Sequence, residues 1–114
     1  MIRIAFATNK GGLDDFLADR FGRAPIFTII DIDEKTGEIK TVKIIENPGS
    51  KTGSRACVRA VRTLIDEKVH IAVGPRPGPN AYTALQQAGI KIYTITGVSV
   101  REALEKLLKE LISS

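Results

Sequence analysis

The order of the predicted strands and helices most constrains the fold of this chain. Three apolar segments rich in β-branched residues, 2–8, 26–33 and 39–46, come before the first long helix and are predicted to be strands. The turn at 35–38 leaves so short a connection that the second and third strands should form an antiparallel hairpin. Lysines in the third strand predict that it lies at an edge of the sheet.

The rest of the chain alternates between helices and strands. The order β-β-β-α-β-α-β-α indicates an α/β fold, a mixed five-stranded sheet with helices on its faces, whose architecture resembles ribonuclease H. Only the second strand should run against the others. One or two helical turns are predicted at 13–20, and the later elements at 54–68 (helix), 69–73 (strand), 79–88 (helix), 90–95 (strand) and from Ser99 (helix).

Two helices carry clear apolar faces. In the first, Val58, Val61, Leu64 and Ile65 share one side of the helical wheel, which predicts burial against the sheet. The last begins with a capping box at Ser99–Glu102 and continues with leucines at helical spacing, which also predicts a core face.

Composition narrows the class of protein. The chain has 114 residues, 43% of them hydrophobic and 26% charged, so one domain spanning 1–114 is expected. No apolar stretch approaches the length of a membrane span, and the first segment reads as a strand, so neither a signal peptide nor a membrane partner is expected. The single cysteine excludes an internal disulfide and favours a cytoplasmic location.

The charge balance is mildly basic. A net charge of +4 suits small anions, but aromatic residues make up only 5% of the chain and offer little stacking surface for nucleic acid. The arginines at 55, 59 and 62 are typical of a solvated helix face. No specific nucleic-acid partner is therefore expected.

Three loops marked by glycine and proline, 9–25, 47–54 and 74–80, should converge. They follow the first, third and fourth strands, which point the same way, so they leave from one end of the sheet, where α/β proteins bind ligands. In the third loop, Arg76 offers a fork of donors suited to carboxylate or phosphate. Gly78 can take a positive φ or admit a ligand to the backbone, and Gly78 or Asn80 should cap the next helix.

Other candidate residues have ordinary alternatives. Phe21 is expected to anchor its loop in the core, and His70 to be structural at the far end of the sheet. Cys57 lies in the first turn of a helix, where a thiol pKa can fall, yet a lone cysteine is more often a small core residue.

Catalytic patterns are scarce. The sequence has no nucleophile elbow, no phosphate-binding Walker loop and no dinucleotide glycine pattern, and the first strand has no carboxylate to hold a metal for phosphodiester cleavage. We therefore assign no catalytic residues and expect a protein that is not an enzyme. A hydrolase using Asp14, Asp15 or Asp19 is the minor alternative.

The loop motifs resemble a known family. Asp19–Pro25 with Phe27, Glu46-Asn47-Pro48, Gly74–Ala81 and Ala88–Tyr93 are similar to the dinitrogenase iron–molybdenum cofactor biosynthesis family, with its NifX-type domain. The resemblance implies a ribonuclease H-like three-layer fold. It also implies a role related to nitrogen fixation, in which an iron–sulfur precursor or the finished cofactor is carried between assembly proteins.

The resemblance carries two motifs onto this chain, Phe21-Gly22-Arg23 and Gly78-Pro79-Asn80-Ala81. Many members have a histidine in the loop before the first long helix, whereas residues 48–54 here contain none, and Cys57 is the soft ligand nearby.

The resulting hypothesis is a non-enzymatic carrier of an anionic iron–sulfur or iron–molybdenum type cofactor or its precursor, with an assembly protein as partner. The alternative is a regulatory or scaffold module that binds a phosphate- or nucleotide-like anion without a metal cluster. The residues predicted to bind the cofactor are Phe21, Gly22, Arg23, Ser54, Arg76, Gly78 and Asn80, with Cys57 as the metal ligand.

Overall fold

The computed structural model describes residues 1–48 and 56–113, without the side chains of residues 56, 57, 112 and 113. The elements of this described part follow one another as β1 (Ile2–Thr8), β2 (Ile26–Ile32), β3 (Ile39–Glu46), α1 (Ala56–Asp66), β4 (Ile71–Gly74), α2 (Pro79–Gln87), β5 (Lys91–Thr94) and α3 (Val100–Ser113).

The five strands form one mixed sheet in the order β3-β2-β1-β4-β5. β2 runs antiparallel to both its neighbours, whereas β1, β4 and β5 are parallel. The prediction of a mixed sheet with β3 at an edge is confirmed. Since β1, β3 and β4 point the same way, the loops that follow them leave from one end of the sheet.

Helices cover both faces of the sheet at its centre. Along β1, Ala5 and Ala7 lie on the face covered by α1 and α2, while Ile4 and Phe6 lie on the face covered by α3. This alternation follows from the two-residue repeat of a strand, and burial on both faces explains why β1 is almost wholly apolar.

The predicted turns of helix at 13–20 are absent. The backbone N–H of Leu17 donates to the carbonyl of Val98 at 3.0 Å, and that of Ala18 donates to the carbonyl of Ala7 at 2.8 Å. Because these groups bond to distant parts of the chain, they cannot close an i to i−4 ladder. The segment instead forms bridges, one of them between Thr8 and Leu17.

The predicted core face of α1 is half right. Val61 and Leu64 are buried, but Val58 is 63% exposed and Ile65 is 43% exposed. The buried stripe of α1 is therefore narrower than the helical wheel suggests, and Val61 and Leu64 pack in one cluster with residues of α2 and β1.

The last helix agrees with its sequence pattern. Leu104 and Leu107 are buried, and the N–H of Glu102 donates to the hydroxyl of Ser99 at 3.2 Å, which is half of the predicted capping box. No helix among residues 1–48 and 56–113 is long and apolar enough to cross a membrane.

Candidate functional site

The loop after β1 is organised around the carboxylate of Asp15. Its Oδ2 atom accepts backbone N–H bonds from Asn9 at 2.9 Å, Lys10 at 2.7 Å and Gly11 at 2.9 Å. Burial alone would raise the pKa of Asp15, but the N–H donors outweigh it and hold the pKa below its usual value. The carboxylate therefore stays ionised and engages three N–H groups of its own loop.

The close approach of this loop to β3 requires a glycine. Gly11 has a φ of +95°, and a Cβ atom there would lie 2.8 Å from Cγ2 of Ile44. A larger residue would meet both backbone strain and a clash, so Gly11 allows the loop to lie against the edge of the sheet.

Phe21 joins the first loop to the loop after β4. Its side chain is 3% exposed, and its ring lies 5.9 Å from that of Phe27 in a tilted arrangement. A Cβ atom on Gly74 would lie 3.3 Å from Cδ2 of Phe21, so a glycine at 74 permits the contact. The prediction that Phe21 anchors its loop is confirmed.

Asn47 ties the end of β3 to the same place. Its side-chain Nδ2 donates to the carbonyls of Gly22 at 3.1 Å and Ala24 at 2.8 Å, and its backbone N–H donates to the carbonyl of Pro25 at 3.0 Å. Asn47 is 2% exposed, so these bonds are shielded from water. The described parts of the three loops thus meet at one end of the sheet, as predicted.

The loop after β4 is stiff and leads into α2. Pro75 and Pro77 are buried, whereas Arg76 between them is exposed. Gly78 is the N-cap of α2, with a φ of −64° and no side-chain cap. Of the two caps that the sequence offered, Gly78 is therefore the one used, and of the two roles offered for this glycine, a positive φ is not the one it plays.

The start of α2 offers donors to a ligand. A Cβ atom on Gly78 would meet nothing within 4 Å, so the backbone there is uncovered. The first turn of a helix leaves N–H groups without helical partners, and Asn80 and Ala81 occupy that turn. An open cavity of about 500 Å³ lies beside the first residue of α2, lined by Arg76, Pro77, Pro79, Tyr82 and Thr83.

The predicted site residues are placed as follows. Arg23 is exposed and lies two residues after Phe21, while Arg76 lies two residues after Gly74, which contacts Phe21. Both arginines are therefore at the same end of the sheet. Gly22 contributes its carbonyl to Asn47, and Asn80 is exposed at the start of α2.

Two predicted residues fall on or beside undescribed parts. Ser54 lies outside the described residues, and Cys57 is the second residue of α1 with a side chain that is not described. Among the residues whose side chains are described, no three histidine, cysteine, aspartate or glutamate side chains are grouped so as to hold a metal ion.

Sequence reasoning missed two residues that build the site. It named Asp15 as one of three aspartates in a minor hydrolase alternative, and Asn47 as the start of a loop and part of a family motif. An aspartate shortly after the run Asn9–Gly12, and an asparagine directly before a proline, are patterns that favour side-chain to backbone bonds.

The opposite end of the sheet has a structural network. The guanidinium of Arg3 holds both carboxylate oxygens of Asp31, at 2.7 and 3.1 Å. This bond is the main reason that the pKa of Asp31 lies below its usual value. Nδ1 of His70 accepts the backbone N–H of Arg3 at 2.9 Å, which agrees with the structural role predicted for His70.

The fold and its loops define a small α/β protein in which the connections after three codirectional strands gather at one end of a mixed sheet. Residues 1–110 match the family described as dinitrogenase iron-molybdenum cofactor. The chain therefore belongs to that family.

Three known proteins are similar to this chain over most of its length. The chain is 29% identical over 93 residues to the uncharacterised protein MJ0580 of Methanocaldococcus jannaschii, covering 82% of this chain and 77% of that protein. It is 30% identical to the orange protein of Desulfovibrio gigas, solved in its apo form, with a TM-score of 0.86 over 97% of this chain and 90% of the other. It is also 30% identical to a putative NifB protein from Thermotoga, with a TM-score of 0.71 over 94% of this chain and 87% of the other.

A further structure, PH0822, is similar in fold alone. Its TM-score is 0.80 over 96% of this chain and 92% of the other, at 18% identity.

Proposed function

We propose that this chain is a non-enzymatic binding or carrier domain for an anionic iron–sulfur or iron–molybdenum type cofactor or its precursor. The observation that carries the proposal is the gathering of the loops after β1, β3 and β4 at the end of the sheet where Arg23 and Arg76 are exposed. Family membership supports an association with the iron–molybdenum cofactor.

The donors at this end suit an anionic cargo held by charge and hydrogen bonds. Guanidinium groups and backbone N–H groups bind sulfide and oxygen atoms of an anion, whereas direct ligation of iron needs thiolate, imidazole or carboxylate. The described side chains contain no cluster of such ligands. In the proposal, Arg23 and Arg76 neutralise the cargo, Gly78 and Asn80 contact it through the backbone, and Phe21 holds Gly22 and Arg23 in position. Ser54 and Cys57 complete the set, with Cys57 as the metal ligand.

The proposal also covers the fold class, the domain, the location and the partners of the protein. We classify the fold as ribonuclease H-like and treat residues 1–114 as one domain. The cytoplasm is the proposed location, because a single cysteine suits a reducing compartment. Proteins that assemble the nitrogenase cofactor are the proposed partners, by analogy with the family name.

An anaerobic titration tests the carrier function. Adding a reconstituted iron–sulfur cluster to the full chain should produce an absorbance change that saturates, and Arg76→Ala or Cys57→Ala should weaken it. Arg62→Ala is the matched control, because Arg62 is an exposed arginine that faces Asp66 on α1. The absence of binding at tens of micromolar would reject the proposal.

The second candidate is an anion-binding module that needs no metal. The start of α2 and Arg76 favour it, because both groups bind phosphate as readily as a metal–sulfur anion. Thermal stabilisation by phosphate or a nucleotide in metal-free buffer, with no response to the cluster, would favour this candidate.

A further inference from the structure

A groove runs along the outer side of α2 and ends at the edge of the sheet. Two adjoining cavities form it, and Tyr82 lines both. The first is the cavity of about 500 Å³ beside Arg76. The second, about 450 Å³, is lined by Tyr82, Gln86, Gly89, Ile90, Lys91 and Ile92. We call the two together the α2–β5 groove.

The edge of β5 beside this groove has hydrogen-bonding groups to offer. β5 ends the strand order, so its outer side has no neighbouring strand among the described residues. The N–H groups of Lys91 and Ile95 donate inward, to the carbonyls of His70 and Gly74. Because alternate residues of a strand bond to opposite sides, Ile92 and Thr94 direct their N–H and C=O groups outward.

The charges of the groove favour a negative occupant. Arg76 at one end and Lys91 at the other are its charged residues, and no carboxylate lines either cavity. Within the described part of the chain, neither cation forms a salt bridge. The opposite edge of the sheet differs, because on β3 the ammonium of Lys43 lies 2.7 Å from a carboxylate oxygen of Glu67.

The length of the groove matches a short extended peptide. α2 has nine residues and is therefore about 13 Å long. A strand rises about 3.3 Å per residue, so about four residues reach from the level of Lys91 to that of Arg76. β5 itself has four residues, enough to pair with such a segment.

We propose that the α2–β5 groove docks an extended, acidic segment of a partner protein, which adds to the sheet as a strand along β5. Backbone hydrogen bonds to Ile92 and Thr94 hold the segment. An apolar side chain from the middle of the segment packs against Tyr82, which is 42% exposed. Acidic residues at its ends meet Lys91 and Arg76. The bound segment then lies next to the loop at 74–80 and shares Arg76 with the proposed cargo site, whereas Lys91 and the edge of β5 belong to the docking surface alone.

The test is an NMR titration of the ¹⁵N-labelled full chain. The probe is an acetylated and amidated octapeptide, Asp-Glu-Val-Thr-Val-Thr-Asp-Glu, and the comparison peptide carries lysine at its four acidic positions. We expect saturable shifts of the Ile92 and Thr94 amides, with a Kd of about 1 mM or tighter for the acidic peptide and binding about tenfold weaker for the lysine peptide.

Two variants separate the parts of the proposal. Thr94→Pro removes one outward donor without altering charge, and Lys91→Glu reverses one end of the groove. Each should weaken the acidic peptide about fivefold or more, by roughly 1 kcal/mol. Lys35→Glu is the charge-matched control and should bind normally, because Lys35 is exposed in the turn between β2 and β3, at the opposite edge of the sheet.

Several results would overturn the inference. The first is the absence of saturable shifts at Ile92 and Thr94 with about 5 mM acidic peptide, a concentration that would reveal binding with a millimolar Kd. The second is equal binding of the lysine peptide. The third is a chain that dimerises through β5 and so excludes the peptide. Lys91→Glu should leave the anaerobic cluster titration unchanged. Failure of docking therefore leaves the carrier function standing, and failure of the carrier function leaves docking standing.

Discussion

The bonds around Asp15 predict a measurable loss of stability in Asp15→Asn. Asparagine keeps the shape but replaces a charged acceptor of three N–H bonds with a neutral one. Bonds to a charged group exceed neutral ones by about 1 kcal/mol each. Since Asn9 and Lys10 are exposed and can bond to water instead, we discount the sum to about 1–2 kcal/mol.

Urea unfolding and thermal melting measure this loss. For a chain of this size, 1–2 kcal/mol corresponds to a fall in Tm of about 3–8 °C. Asp14→Asn is the matched control, because it removes the same charge one residue away. The carboxylate of Asp14 is 91% exposed and lies 3.4 Å from Arg101, so we expect a change below about 0.5 kcal/mol.

The loss of stability caused by Asp15→Asn should depend on pH. The pKa of Asp15 is lowered by folding, so its contribution to stability is fully present above the unfolded pKa, about 3.9, and is lost as the pH falls through the folded value. The difference between the wild type and Asp15→Asn should therefore be constant above about pH 5 and shrink in acid. If Asp15→Asn were no more harmful than Asp14→Asn at pH 7, the carboxylate would not hold the loop.

Three further variants test the packing of the fold and the site. Leu107→Asp places a charge at a position 1% exposed and should unfold the domain, as judged by circular dichroism, whereas Lys106→Asp should cost less than about 1 kcal/mol. Asn47→Ala leaves two carbonyls without their donor and should cost about 1–3 kcal/mol in urea unfolding; an equally stable Asn47→Ala would show that the clamp is dispensable. Gly11→Ala should cost more than Gly12→Ala, because both have positive φ but only Gly11 faces a clash with Ile44, and equal losses would contradict that contact.

The sheet was largely predictable from sequence because strand direction follows from connection length. A short turn forces antiparallel pairing, and a helical crossover allows parallel pairing, so three loops could be assigned to one end before any contact was known. The predicted convergence of the loops at 9–25 and 74–80 followed from that argument, and the approach of Phe21 to Gly74 agrees with it.

The details of the site were less predictable. Asp14, Asp15 and Asp19 look alike in the sequence, yet in the described part of the chain it is Asp15 that accepts three backbone N–H bonds. Its role depends on the path of the loop, which is fixed by a bridge from Leu17 to Thr8 and by bonds to the start of α3.

The sequence by itself determined the order of elements, the edge position of β3 and the end of the sheet where the loops gather. These properties depend on local periodicity and on the lengths of connections, both of which can be counted along the chain. The tertiary structure decided that 13–20 is not helical, that Val58 is exposed and that Asn47 is a buried clamp. Each of these outcomes depends on a hydrogen-bond partner or a packing neighbour far away in the sequence, and local propensity is too weak to outweigh such contacts.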